Sequence, residues 1–199
     1  PYADASAFAS CLAHLGILTH YQARRAADGE ANKLRVGPYL LTEPIGPGSL
    51  GTVYRARGRS DGKLYAVRIL EPRVWDLRQA LRQVRTFERL PPHESVVRFI
   101  DVGSASGQHY LVWEYAEGRT LETMVREEGP LSAGRAARIG VHAAEALRHC
   151  HARGLVHGLV KPSNVMIAPG GMTRLLDFGI GALLAENPGD GLVDTESRA

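Results

Sequence analysis

A glycine-rich segment that is followed by a strand constrains this chain more than any other feature. Gly46, Gly48 and Gly51 lie in the run Ile45-Gly46-Pro47-Gly48-Ser49-Leu50-Gly51-Thr52-Val53. A dinucleotide-binding βαβ site needs a helix after the glycines, whereas strand-like sequence follows them here. We therefore predict that they cap a β-hairpin over a phosphate, although glycine triplets also build plain hairpins. Pro47 has no N–H, which removes one backbone donor to that phosphate.

Short apolar runs separated by Gly, Pro, Asp and Ser surround this segment and predict five strands. They are Tyr39 to Pro44, Gly51 to Arg57, Lys63 to Leu70, Val96 to Val102 and His109 to Glu114. A helix is predicted from about Val74 to Leu90, where Pro91-Pro92 stops it. The pattern indicates a small sheet with one helix inserted after its third strand.

Helical periodicity appears at both ends of this sheet. Before it, Phe8, Leu12 and Leu15 are spaced as one helix face, and Thr19 with Gln22 forms a capping box for a second helix through Ala27. After it, helices are predicted over Leu121 to Glu128 and Ser132 to Arg153, the latter with an apolar stripe of Ala136, Ile139, Ala143, Ala144 and Leu147. The short apolar segment Asn164 to Ile167 and the segment Arg174 to Asp177 follow, separated by a turn at Pro169-Gly170-Gly171.

Composition excludes several classes of protein. The 199 residues are 44% hydrophobic and 23% charged, close to an average globular chain, which argues against disorder along the whole chain. The 24 basic residues exceed the 21 acidic residues by only +3 and are scattered, so no nucleic-acid partner is expected. No apolar run is long enough for a membrane span, and no signal peptide is evident. The isolated Cys11 and Cys150 suit a reducing cytoplasm.

Six motifs in order resemble a eukaryotic-type serine/threonine protein kinase across residues 38 to 180. They are the glycine-rich hairpin, Tyr65-Ala66-Val67-Arg68-Ile69, the following helix, Leu111-Val112-Trp113-Glu114-Tyr115-Ala116, the loop His157-Gly158-Leu159-Val160-Lys161-Pro162-Ser163-Asn164, and Asp177-Phe178-Gly179. The set is far more specific than any one motif. The helical prefix resembles that of some bacterial kinases, notably planctomycete ones.

The resemblance implies an α+β kinase-like fold in three parts. Residues 1–36 are a helical segment and linker, 37–118 the small lobe and hinge, and 119–199 a partial large lobe that ends in the activation segment. It also implies ATP and Mg²⁺ as cofactors, with Lys161 in a catalytic role and Asn164 and Asp177 as metal ligands. The implied nucleotide-binding residues are Gly46, Gly48, Gly51, Val53, Ala66, Arg68, Glu114 and Ala116.

The departures from the family pattern put catalysis in doubt. Arg68 stands where the family has a lysine, and a one-residue adjustment at Pro91-Pro92 puts Gln83 where its glutamate partner belongs. Leu159 stands at the position of the catalytic aspartate and cannot accept a proton. Gly158 replaces the arginine that pairs with an activation-loop phosphate in many relatives.

Four of the residues in these motifs allow more than one interpretation. Lys161, Asn164 and Asp177 either bind nucleotide and metal or persist as loop and turn formers. Trp113, behind the implied adenine pocket, either narrows that pocket or simply fills the core. His157 is expected to pack beneath its loop without a catalytic role.

We therefore expect a degenerate, pseudokinase-like domain that binds nucleotide weakly and acts as a scaffold or regulator. The alternative is an active ATP-dependent serine/threonine kinase in which a tail carboxylate (Glu186, Asp190 or Asp194) substitutes for the aspartate. Because the chain ends at Ala199 without an A-P-E motif, we expect either a fragment of a longer protein or a truncated pseudokinase. A protein partner is expected at the N-terminal helices or at exposed large-lobe helices.

Overall fold

The structure is a computed structural model that describes residues 4–48, 50–71, 87 and 90–178. These residues form two compact units. The sheet unit comprises the described residues of Pro1–Arg73 and Phe99–Ala116, and the helical unit comprises those of Val74–Arg98 and Glu117–Ala199. None of the described helices is long and apolar enough to cross a membrane.

The sheet unit contains a six-stranded sheet in the order β1-β2-β3-β4-β6-β5, with every neighbouring pair antiparallel. Its strands are β1 Arg35–Val36, β2 Tyr39–Gly48, β3 Gly51–Gly58, β4 Leu64–Ile69, β5 Phe99–Ala105 and β6 Gln108–Glu114. Tight turns join β2 to β3 and β5 to β6, as antiparallel neighbours permit.

Alternation along these strands gives the sheet two faces of different character. One face carries the buried core, in which Tyr39 contacts Tyr65 and Tyr110 edge-on at 5.3 and 6.1 Å between ring centroids. Aromatic rings prefer this geometry to a face-to-face stack. The core residues are Val36, Tyr39, Leu41, Ala56, Val67, Tyr110 and Val112. The opposite face carries Ala66, Arg68 and Trp113, which belong to the candidate site.

Two short helices precede the sheet, α1 Ala5–His14 and α2 His20–Ala27. The predicted capping box of α2 is confirmed, since the Thr19 hydroxyl accepts from the Gln22 N–H and the Gln22 side chain accepts from the Thr19 N–H. The same two side chains dock the helix on β2. The Gln22 amide donates to the Leu41 carbonyl at 2.9 Å, and the Thr19 hydroxyl donates to the Thr42 carbonyl.

The docking of α2 provides hydrogen-bond donors for two carbonyls on the edge of β2 that lies beyond its pairing with β1. Strand β1 pairs with β2 only at Tyr39 and Leu40, and a bulge in the β2–β3 pairing begins after Leu41. A strand edge left open is a template for unwanted pairing, and α2 covers this stretch with side-chain donors. The prefix is thus attached to the sheet by its second helix.

The helical unit contains α3 Leu121–Glu128, α4 Ala133–His151 and a three-stranded sheet. The strands are β7 Arg119–Thr120, β8 Val165–Ile167 and β9 Thr173–Leu175. Thr120 and Ser132 cap the two helices by accepting from backbone N–H groups three residues on. The Arg174 side chain donates to the carbonyls of Glu94 and Val96 at 3.1 and 3.2 Å, tying β9 to that segment.

The predicted helices and longer strands are confirmed where the structure describes them, with differences in detail. Strands β1 and β7 were not predicted, because two residues each are too short to show a pattern. Val96, expected to begin a strand, instead forms a single bridge to Leu175. On α4 the buried residues are Ile139, Ala146 and Cys150, and the predicted stripe is wrong at Ala136 and Ala144, which are exposed.

Apolar residues of α1 and of the turn that follows it are exposed in the structure. Phe8, Leu15 and Ile17 remain 48%, 64% and 65% exposed, so the prefix does not bury them. Of the helix predicted over Val74 to Leu90, Phe87 is described and is helical. Residues 74–86, including Gln83, lie outside the described residues.

The attachment of α2 generates a stability prediction. Substituting Gln22→Ala removes a buried hydrogen bond and half of the capping box, so we expect the free energy of unfolding to fall by about 1–2 kcal/mol in urea denaturation. Arg24→Ala is the matched control, because Arg24 is exposed on the same helix. It should change stability by less than about 0.5 kcal/mol. Equal losses for the two variants would contradict the docking role.

Candidate functional site

The glycine-rich segment forms the predicted hairpin. Gly46 pairs with Val53, Pro47 with Thr52 and Gly48 with Gly51. Gly51 has φ +137°, and a side chain there would collide with the Ile69 carbonyl, so glycine is required by local packing. At Gly46 a Cβ would meet no atom within 4 Å. Glycine there leaves open space beside the hairpin.

Arg68 shares a face of the sheet with Val53 and Ala66. Register places Arg68 opposite Val53 across β3 and β4, while Ala66 lies two residues along β4 and therefore on the same side. The Arg68 residue is only 2% exposed. Its guanidinium carbon lies 5.8 Å from the centre of the Trp113 ring, within the range of a cation–π contact.

The end of β6 and the residues that follow it carry two of the predicted nucleotide-binding residues, Glu114 and Ala116. Glu114 ends β6 opposite Tyr65, and the next N–H, of Tyr115, donates to the Leu64 carbonyl at 3.4 Å. Ala116 is buried. The backbone of this segment is thus held against the end of β4.

A buried histidine, His157, organises the loop that contains Leu159. The Leu159 N–H donates to Nδ1 of His157 at 3.2 Å, and Nε2 of His157 donates to the Leu176 carbonyl at 2.8 Å. An N–H can only donate and a carbonyl can only accept, so this network fixes the neutral imidazole with its proton on Nε2. The ring also packs against Phe178, with centroids 4.4 Å apart.

Burial lowers the pKa of His157 below its ordinary value of 6.5. The hydrogen bond to the Leu176 carbonyl and the nearby Asp177 carboxylate act in the opposite direction, but they are smaller effects. The imidazole is therefore neutral, and it packs beneath its loop as the sequence predicted.

Asn164 holds the same loop from its other end. Its side-chain amide donates to the Leu159 carbonyl at 2.8 Å, and its own carbonyl accepts from the Leu176 N–H at 2.9 Å. The backbone of Leu159 is thus fixed through both its N–H and its carbonyl. The leucine side chain placed by this framework is half-buried and has no oxygen.

The remaining loop residues differ in environment. Gly158 has φ +74°, a conformation that glycine adopts without the strain other residues incur. Lys161 is exposed, so its ammonium group faces water. Asp177 has φ +59°, which Asp tolerates better than most residues, and it follows the Leu176 segment that His157 and Asn164 anchor.

The structure thus gathers the sequence-predicted site residues into two groups. The sheet unit holds Gly46, Gly48, Gly51, Val53, Ala66, Arg68, Glu114 and Ala116, and the helical unit holds Leu159, Lys161, Asn164 and Asp177. Gln83, Gly179 and the tail carboxylates Glu186, Asp190 and Asp194 lie outside the described residues. Sequence reasoning missed the contact between Arg68 and Trp113, which strand register could have revealed.

Comparison with known proteins identifies the family. The protein kinase domain profile matches residues 39–196. The chain belongs to the protein kinase family. CPE1738, a probable serine/threonine-protein kinase of Clostridium perfringens, is 34% identical to this chain over 145 residues. The match covers 71% of this chain and 21% of CPE1738. PknD of Mycobacterium tuberculosis is 33% identical over 158 residues, 77% of this chain and 23% of that one.

Solved kinase structures share the fold. The Mycobacterium tuberculosis PknI kinase domain superposes with a TM-score of 0.65 at 27% identity, covering 73% of this kinase chain and 61% of that chain. Rad53 in complex with AMP-PNP gives the same TM-score of 0.65 at 25% identity, with 72% and 38% covered. This kinase chain spans less than a quarter of the length of CPE1738 and PknD.

The kinase family uses ATP and Mg²⁺, and the described residues are compatible with both. Among the described residues no atom lies within 4 Å of the place that a Cβ would take at Gly46, so this side of the hairpin backbone is unobstructed. The amide oxygen of Asn164 and the carboxylate of Asp177 are hard oxygen donors of the kind that Mg²⁺ prefers.

The neutral state of His157 predicts how stability depends on pH. The pKa is lower in the folded domain than the ordinary 6.5, so the folded state binds fewer protons. The contribution of His157 is complete above pH 6.5 and is lost as pH falls below that value, by at most about 1.4 kcal/mol per pH unit.

Chemical denaturation between pH 8 and pH 5 tests this prediction. His157→Gln removes the titrating group, so its free energy of unfolding, referenced to its own value at pH 8, should decline less steeply than that of the wild type. Identical declines in the two proteins would show that His157 is not held neutral.

Proposed function

We propose that this kinase domain is catalytically impaired, binds Mg²⁺–nucleotide weakly and serves as a scaffold or regulator. The observation that carries the proposal is Leu159, whose backbone is held by His157 and Asn164 while its side chain offers no proton acceptor. General-base and positioning groups typically contribute 10²–10⁴ to the rate. A loop that retains its supports but lacks this group favours binding over phosphoryl transfer.

The residues around the implied phosphates support the same proposal. Arg68 retains a positive charge, but its planar fork is larger than an ammonium group and does not substitute conservatively at a phosphate. Gln83, at the implied position of the partner glutamate, is a neutral amide and cannot form an ion pair. The lysine–glutamate pair of an active site is therefore replaced at both positions.

Nucleotide binding is supported by the groups that remain. Asn164 and Asp177 would hold Mg²⁺, Arg68 and Lys161 would neutralise phosphate charge, and the backbone of Glu114 and Ala116 would take the adenine edge. When bound, Mg²⁺ supplies charge that offsets repulsion between the nucleotide phosphates and Asp177.

A scaffold role is supported by the N-terminal helical pair. Phe8, Leu15 and Ile17 are large apolar residues that stay exposed there, while α2 is fixed to the sheet. Exposed apolar groups are a common feature of protein-contact surfaces. A partner at this pair fits a domain whose role is contact and not turnover.

Active phosphoryl transfer is the second candidate, favoured by identities above 30% to serine/threonine kinases. It requires another carboxylate to replace the missing aspartate, for which Glu186, Asp190 and Asp194 are the candidates. The two functions differ in one measurable quantity, the transfer of phosphate to an acceptor.

We expect phosphotransfer from radiolabelled ATP to a generic protein substrate to be at background. Leu159→Asp alone should not restore it, because Arg68 and Gln83 also depart from the active pattern and losses within one catalytic unit do not add. Robust wild-type turnover that Asp177→Ala abolishes would establish the active kinase instead.

We expect ATP binding to be weak and to depend on divalent metal. The dissociation constant should be tens of micromolar or higher, corresponding to about −6 kcal/mol or less favourable. Calorimetry with and without Mg²⁺ measures it, and Asp177→Asn should weaken binding only when metal is present. Tight binding that persists in EDTA and in Asp177→Asn would contradict the role of the metal.

A further inference from the structure

Three side chains form a row on the face of the sheet that carries the candidate site. Phe99 on β5 pairs with Trp113 on β6, and Trp113 pairs with Ala66 on β4. Arg68 lies two residues beyond Ala66, so it is the diagonal neighbour of Trp113. Diagonal positions on one face are within reach of aromatic and long side chains.

The contacts within this row are specific. Phe99 meets the Trp113 ring edge-on, with centroids 5.3 Å apart and planes at 81°. The guanidinium carbon of Arg68 lies 5.8 Å from the centre of the same ring. Phe99, Trp113 and Arg68 are each 4% exposed or less, so the cation and both rings are shielded from water.

Exclusion of water strengthens the attraction between the Arg68 guanidinium and the Trp113 ring. A guanidinium group is attracted to the negative face of an aromatic ring, and this attraction grows when water is excluded. Arginine suits such a contact better than lysine, because its planar group stacks on a ring and is less strongly hydrated. The arginine at position 68 and the tryptophan at position 113 are therefore chemically matched.

We infer that Trp113 is a positioning residue for Arg68, holding its guanidinium on the face shared with Val53 so that it receives a nucleotide phosphate. The inference rests on the proposed nucleotide binding and goes beyond it, because it assigns Arg68 a partner within the sheet. It also explains how position 68 can carry arginine. The face of the indole ring contacts the planar guanidinium group of arginine, whereas the ammonium group of the family's lysine has no planar surface to stack on that ring.

The first test needs no nucleotide. Arg68→Lys, Trp113→Met and the double variant form a double-mutant cycle in the unfolding equilibrium of the full chain, measured by urea denaturation. Methionine fills the space flexibly but has no ring face. Arg68→Lys should change the unfolding constant about two- to thirtyfold more with Trp113 present than in the Trp113→Met background. Additive effects would overturn the inference.

The second test distinguishes two roles for Trp113: holding Arg68 for contact with phosphate, and shaping the pocket for the adenine base. Affinities for Mg²⁺–ATP and for adenosine are measured by calorimetry on the wild type, Trp113→Met and Trp113→Phe. Trp113→Met should lose about two- to thirtyfold in ATP affinity relative to adenosine affinity. Trp113→Phe keeps a ring face and should retain most of the wild-type ratio.

The outcomes distinguish this inference from the proposed function. Parallel loss of ATP and adenosine affinity, or an unchanged ATP affinity in Trp113→Met, would overturn the positioning role while leaving nucleotide binding intact. A wild-type domain that binds neither ligand would refute the nucleotide-binding part of the proposed function, and with it the role of Arg68 toward phosphate. Coupling in the first test together with a selective loss for ATP in the second supports the inference.

Discussion

The buried imidazole of His157 is the constraint on which the catalytic loop depends. It accepts from the Leu159 N–H and donates to the Leu176 carbonyl, so one neutral ring joins the loop to the segment that leads into Asp177. Asn164 makes a second connection between the same two segments, through its amide to Leu159 and its carbonyl to Leu176. Unpaired polar groups are costly in such a buried setting, so loss of either connection would destabilise the loop.

The hydrogen bonds that hold this loop in place do not depend on the side chain at position 159. Every bond that positions residue 159 comes from its own backbone, and leucine supplies that backbone as well as aspartate would. The hydrogen bonds that hold the loop therefore do not require an aspartate at position 159. The sheet shows a related substitution, in which Arg68 meets an aromatic face in Trp113. In both places the backbone position is held by the fold while the residue differs from the one that the family pattern implies.

Much of this organisation follows from sequence because local rules determine it. The hairpin at Gly46 to Gly51 and the capping box of Thr19 and Gln22 each depend on residues close in the chain. The exposure of Phe8 and the docking of Gln22 on Leu41 depend on tertiary packing, which periodicity does not report. The contact between Arg68 and Trp113 arises from strand register between segments over forty residues apart, so no local pattern could show it.

A single-turnover experiment tests the central claim most directly. Radiolabelled ATP is mixed with Mg²⁺ and a large excess of the domain, at protein concentrations high enough to bind most of the nucleotide. Samples are quenched at intervals over several hours, and the labelled products in each sample are separated. The account predicts that bound nucleotide is recovered as intact ATP at the rate set by a protein-free control. Accumulation of ADP together with labelled protein, faster than in that control, would show that the Leu159 loop supports phosphoryl transfer and would contradict the account.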